Sequence, residues 1–117
     1  MDLIQLKIEK DNTPAKYIKI IREFDSSISI SDIKQKIEKN DFVIGFDLEY
    51  YDVVEDINEI DRKKIFRHMI EKLCRAGAQI TIYQNGELSS LELLDNRIKM
   101  IDEIRREVEE DMNREAE

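Results

Sequence analysis

Nucleophile–base chemistry in this chain would have to come from His68 and Cys74, its single histidine and single cysteine. They stand six residues apart in a stretch with helical periodicity. At about 100° per residue they lie roughly 240° apart around the axis and cannot exchange a proton there. His68 falls opposite the Phe66, Ile70 and Leu73 stripe and is expected as a solvated surface histidine. Cys74 is expected as a partly buried small hydrophobe. One histidine and one cysteine supply no zinc set. No catalytic residue, metal ligand or cofactor is expected, and the chain reads as non-enzymatic.

Carboxylates are the denser chemistry. Residues 41–61 hold eight acids and no base, among them Asp47, Glu49, Asp52, Glu55, Asp56, Glu59 and Asp61. A helix–loop–helix calcium site needs a central glycine and a terminal glutamate at fixed spacing, which this stretch lacks. Asp47 and Glu49 share a strand face roughly 7 Å apart, a common arrangement with no catalytic meaning of its own. Two uses stay open: a solvated edge that discourages strand pairing, or a surface that docks a protein. Tyr50-Tyr51 beside the acids favours an interface, and Asp47, Glu49, Tyr51, Asp52, Glu55 and Asp56 are candidate partner contacts. Lys63, Lys64, Arg67, Lys72 and Arg75 line the outer side of the following helix. They are expected to face solvent or an acidic partner, the chain's own C-terminal helix included. No glycine-rich loop accompanies them to cradle phosphate.

The elements that must position these residues are read from periodicity. LIQLKI (3–8) alternates and predicts a strand with Ile4, Leu6 and Ile8 buried. Asp11-Asn12 is turn chemistry, Thr13 fits a helix cap and Pro14 the first helical position. Tyr17, Ile20, Ile21 and Phe24 then follow helical spacing. A second helix is announced by Ser29 with Asp32 three residues on and by an Ile28–Ile33 staple; Ile30, Ile33 and Ile37 form its apolar face. FVIGFDLEYY (42–51) predicts a strand with Phe42, Ile44, Phe46, Leu48 and Tyr50 on one face. DVVEDINEID (52–61) reads as a polar stretch that leads into a helix from about 59 to 76 with Phe66, Met69, Ile70 and Leu73 inward. QITIY (79–83) predicts a third strand, closed by the turn dipeptide Asn85-Gly86.

A long helix follows from about Ser90 to Arg114. Leu91, Leu94, Ile98, Ile101, Val108 and Met112 form its stripe, with Arg105 where another apolar residue is expected. This stripe either packs on the chain's own domain or serves as an oligomerisation seam, in which Arg97 and Asp102 would bridge two parallel helices. The expected fold is α+β: a three-stranded antiparallel sheet, helices on one face, in the order strand-helix-helix-strand-helix-strand, plus the long C-terminal helix. Residues 1–86 form the expected domain and 87–117 the appended helix.

Bulk properties exclude several classes. The net charge of −8 disfavours nucleic acid as a partner, because phosphate neutralisation supplies most such affinity. No apolar run is long enough for a bilayer, and MDLIQLKIEK lacks the pattern of a signal peptide. With one cysteine there is no internal disulfide, so a cytoplasmic chain without a membrane partner is expected.

The order of elements, with YIKIIRE (17–23), ISISDIKQKIE (28–38) and LCRAGAQITIY (73–83), resembles the C-terminal domain of the bacterial ribosomal stalk protein. The Clp protease adaptor that delivers N-degron substrates shares that fold. The resemblance covers about residues 2–83. It implies a recognition fold, with Lys19 and Arg22 at the positions that contact translation factors in the stalk domain, and Lys34 more loosely matched. The stalk domain's glycines are replaced here by Ser27 and Ser29. In the adaptor the strand-to-helix turn holds a free amino group; Asp11, Thr13 and Pro14 match it, while Glu9, Lys10 and Ala15 depart from it. A lysine beside an ammonium-binding carboxylate opposes that function.

The leading expectation is a non-enzymatic protein–protein interaction module. It would act as a homodimer or dock a protein partner through the C-terminal helix. The alternative is an acidic inhibitor or immunity-type protein that masks a basic toxin or nuclease with residues 47–61.

Overall fold

A computed structural model describes the backbone of residues 2–115 and the side chains of residues 2–107. The elements in order are β1 (Leu3–Ile8), α1 (Pro14–Phe24), α2 (Ile30–Glu38), β2 (Ile44–Asp47), α3 (Val53–Ile57), α4 (Arg62–Arg75), β3 (Ile80–Gln84), β4 (Glu87–Leu88) and α5 (Leu91–Glu115). The strands form one antiparallel sheet in the order β2-β1-β3-β4. The fold is α+β, but the sheet has four strands where three are expected from the sequence. Asn85 and Gly86 both adopt left-handed φ, 52° and 85°, as a two-residue hairpin turn requires. The chain therefore folds straight back, and Glu87–Leu88 pair with Gln84 and Tyr83.

The alternation in β1 holds: Ile4, Leu6 and Ile8 are buried and the residues between them are half-buried. The buried face is covered by Tyr17, Ile18 and Ile21 of α1, Ile33 and Ile37 of α2, and Phe66, Met69, Ile70 and Leu73 of α4. Leu94 of α5 joins the same core. Ser29 caps α2 by accepting from the Asp32 N–H at 3.1 Å, as the capping pattern predicts. At α1 the expectation is corrected. Thr13 holds the cap position without a side-chain cap bond, and its own N–H and hydroxyl donate to Asp11 Oδ1 at 2.6 and 2.9 Å.

The expected strand over 42–51 shortens to four residues. Ile44 faces Leu6, yet the Val43 N–H also donates to the Leu6 carbonyl at 2.9 Å. Two residues thus oppose one, the arrangement of a β-bulge, and the alternation shifts there. Val43 and Ile44 are both buried. Phe42 turns to the open face, where its ring meets Tyr83 at 5.1 Å and Lys7 lies over both rings. At the other end the Tyr50 N–H donates to the Asp47 carbonyl, so the chain turns before Tyr50 and Tyr51, which are exposed.

The polar connection after β2 contains a helix. Asp52 caps α3 by accepting from the N–H groups of Val54 and Glu55, at 2.9 and 3.0 Å. The following helix begins later than expected, at Arg62, where Asp61 accepts from the Lys63 N–H.

Candidate functional site

Between α1 and α2 lies an open groove of about 500 Å³, lined by Ala15, Ile18, Lys19, Arg22, Glu23, Ser26 and Ile30. Helical spacing explains it. Tyr17 and Ile21 use the inward side of α1, which leaves Ala15, Lys19 and Arg22 beside Ile18 on the flank toward α2. Ile30, expected to be core-facing, is instead 55% exposed. It shares a helix side with Ile33 and Ile37 but stands at the very start of α2, where it lines the groove beside α1 while Ile33 is fully buried.

The charges around the groove are unequal in freedom. The Arg22 guanidinium donates to the Ile28 and Ser26 carbonyls at 3.1 and 3.4 Å and so holds the α1–α2 connection. Glu23 faces Lys72 across 3.4 Å. Lys19 is exposed and has no ion pair among the described residues. The result is an apolar trough with a cationic edge. Lys19 and Arg22, two of the candidate partner contacts, are thereby brought together.

The acidic stretch is arranged differently. Asp47 Oδ1 accepts from the Asp2 and Glu49 N–H groups at 3.3 and 2.9 Å. Asp52 is the α3 cap. Glu55 accepts from the Tyr50 hydroxyl at 2.7 Å and pairs with Arg62 at 2.5 Å. This hydrogen bond to the Glu55 carboxylate raises the Tyr50 phenol above its ordinary value. Asp56 takes the Tyr51 hydroxyl at 3.4 Å, and the Tyr51 ring lies under Arg105 at 5.6 Å. That stacking accounts for an arginine in the apolar stripe of α5. Burial alone would raise the Asp61 carboxyl. The hydrogen bond and charge of Lys63, with the Lys64 and Lys63 N–H groups, outweigh burial and hold it below the usual carboxylate range. The cleft among these residues encloses only about 20 Å³, enough for a water and little more. Glu49 and Asp56 lie exposed, and much of the remaining acidity serves local structure.

In α5 the stripe packs inward. Leu94 is fully buried, and Leu91, Ile98 and Ile101 are partly buried against the core. Arg97 and Asp102, placed as a bridge between two helices, are used within the chain. Arg97 grips Asp2 through Nε and Nη2 at 2.9 and 2.5 Å, and Asp102 pairs with the buried Lys63 at 3.3 Å. Arg67 adds a two-point contact to Asp95, at 2.6 and 3.2 Å, which raises the guanidinium's pKa. Of the basic residues of α4, Lys63 and Arg67 thus meet the chain's own C-terminal helix, Lys63 buried where an outward side chain is expected, whereas Lys72 and Arg75 pair with Glu23 and Glu71. Val108 and Met112 lie outside the described side chains. A second apolar row on α5, Leu93, Met100 and Ile104, remains exposed.

His68 is exposed, 3.8 Å from Glu71. Cys74 is exposed as well, not partly buried. No group of three or more metal-ligating side chains occurs among the described residues, and none of their helices is long and apolar enough to cross a membrane.

The turn before α1 is a built structure. Tyr17 is buried, and its hydroxyl donates to Asp11 Oδ2 at 2.5 Å. That bond, with those from Thr13, holds the Asp11 carboxyl below its ordinary value and pushes the Tyr17 phenol up. Lys16 reaches the Ala76 carbonyl. Both Asp11 carboxylate oxygens are therefore occupied by groups of the chain itself.

Compared with protein-family models, curated proteins and solved structures, the chain matches none.

Proposed function

We propose that this chain is a non-enzymatic protein–protein interaction module whose docking surface is the α1–α2 groove. One observation carries the proposal: an open apolar trough of about 500 Å³, walled by Ile18 and the exposed Ile30 and edged by Lys19 and Arg22. Such a trough suits an amphipathic segment with acidic flanks, since apolar burial supplies affinity and the cations select orientation and partner. A stalk-domain-like fold is part of this proposal, and in that resemblance Lys19 and Arg22 fall at partner-contacting positions. Docking through α5 draws less support, because four residues of its stripe face the domain core; its exposed row of Leu93, Met100 and Ile104 is the surface left for that role. Masking a basic toxin or nuclease draws less still, since Asp47, Asp52, Glu55 and Asp61 are engaged within the chain.

A photoreactive benzoylphenylalanine at position 30, compared with position 35 well around the same helix, tests the groove in cells. The proposal expects a discrete protein adduct at position 30 and none at 35. No adduct at 30, or equal adducts at both, contradicts it.

A further inference from the structure

We infer that the groove is filled by α3 of a second copy of this chain. The inference rests on the reading of the α1–α2 groove as a docking surface and names its occupant. Helix α3 is unusual among the helices in having no buried residue. Its Val53, Val54 and Ile57 are 59, 61 and 75% exposed. At about 100° per residue these three fall within one 100° arc, so they form a convex apolar knob. An exposed aliphatic knob rimmed by charge marks an interaction surface.

Size and charge both fit the groove. Five helical residues at about 1.5 Å each span roughly 7.5 Å, within the roughly 10.5 Å that separates Ala15 from Arg22 along α1. Around the knob, Glu55 is already paired with Arg62. Asp56 and Glu59 have no cation partner among the described residues. Around the groove, Glu23 is paired with Lys72, and Lys19 has no anion partner among the described residues. The charges left over are therefore acidic on the convex surface and basic on the concave one. Docking one into the other buries both apolar surfaces and brings Asp56 and Glu59 toward Lys19 and Arg22. Knob and groove are different surfaces, so two copies join either reciprocally about a twofold axis or head to tail.

Sedimentation of the full-length chain from micromolar to millimolar concentration tests the inference. The expected result is concentration-dependent association, weakened at least about tenfold by Ile57→Glu and by Lys19→Glu, the loss of one buried anchor. Both positions are exposed, and circular dichroism checks that the variants remain folded. Mixing the two variants is the diagnostic step. Each keeps one intact surface, so the mixture is expected to form a one-to-one pair at concentrations where neither variant associates alone. The inference is overturned by a wild-type chain that stays monomeric, by association that survives either substitution, by a mixture that does not pair, or by association lost on Met100→Glu instead. A monomeric chain that still gives the position-30 adduct with a different protein would overturn the second copy and leave the docking groove standing.

Discussion

Leu94→Ala measures whether α5 belongs to the fold or is an appendage to it. Leu94 is fully buried in the common core, whereas its neighbour Leu93 is 55% exposed. Truncating a buried leucine costs about 2–5 kcal/mol, more where the surroundings cannot collapse into the cavity. Here they are held. Asp95 is fixed by two bonds to Arg67, Arg97 by two bonds to Asp2, and the Leu93 and Leu94 N–H groups are tied to Ser90. A cost of about 3 kcal/mol follows, slightly offset by the better helix propensity of alanine. With an unfolding entropy of about 2.1 cal/mol/K per residue, 117 residues give roughly 0.25 kcal/mol/K, so Tm falls by about 12 °C. Leu93→Ala should cost under about 1 kcal/mol. Thermal and urea unfolding followed by circular dichroism read both, with an unchanged urea slope confirming the same native state. Equal, small effects of the two substitutions would refute the placement of α5 in the core.

Three further outcomes follow from local geometry. The Asp11 carboxyl is lowered in the folded state, so its contribution to stability is fully present above the ordinary carboxylate value and lost as pH falls through and below it; Asp11→Asn should remove that part of the acid limb in pH-dependent urea melts. Asp61 both caps α4 and faces the buried Lys63 ammonium at 3.1 Å, so Asp61→Ala should cost about 2–4 kcal/mol and Asp61→Ser, which keeps a cap, clearly less. Gly86 has open space around its Cα but a φ of 85°; Gly86→Ala should lower stability by about 1 kcal/mol in the same melts through backbone strain alone.

What the sequence disclosed was mostly short-range. The β1 alternation, the Ser29 cap and the inward stripe of α4 depend on neighbours within a few residues, and each is where periodicity places it. Helix α3 escaped because its apolar residues are exposed and make no stripe against a core; its signal was Asp52 as a cap, with acids in the first turn. Strand β4 was implicit in Asn85-Gly86, since a two-residue left-handed turn returns the chain on itself. The bulge at Val43 and Ile44 and the turn of Phe42 to the open face have no local signature. Nor do the pairs Arg97–Asp2 and Lys63–Asp102, which join residues far apart in the chain. Lys19 and Arg22 stood out through a resemblance. The groove they edge depends on how α1 and the start of α2 lie beside one another, which periodicity cannot express.

The central claim is that the α1–α2 groove docks a protein through an apolar floor and the exposed Lys19 at its edge. Its most direct test is the yield of the position-30 photo-adduct in the Lys19→Glu background, with folding checked by circular dichroism. A reversed charge at the groove edge is predicted to lower the yield about tenfold, the effect of roughly 1.4 kcal/mol on a dissociation constant. An undiminished adduct in a folded Lys19→Glu chain would contradict the account.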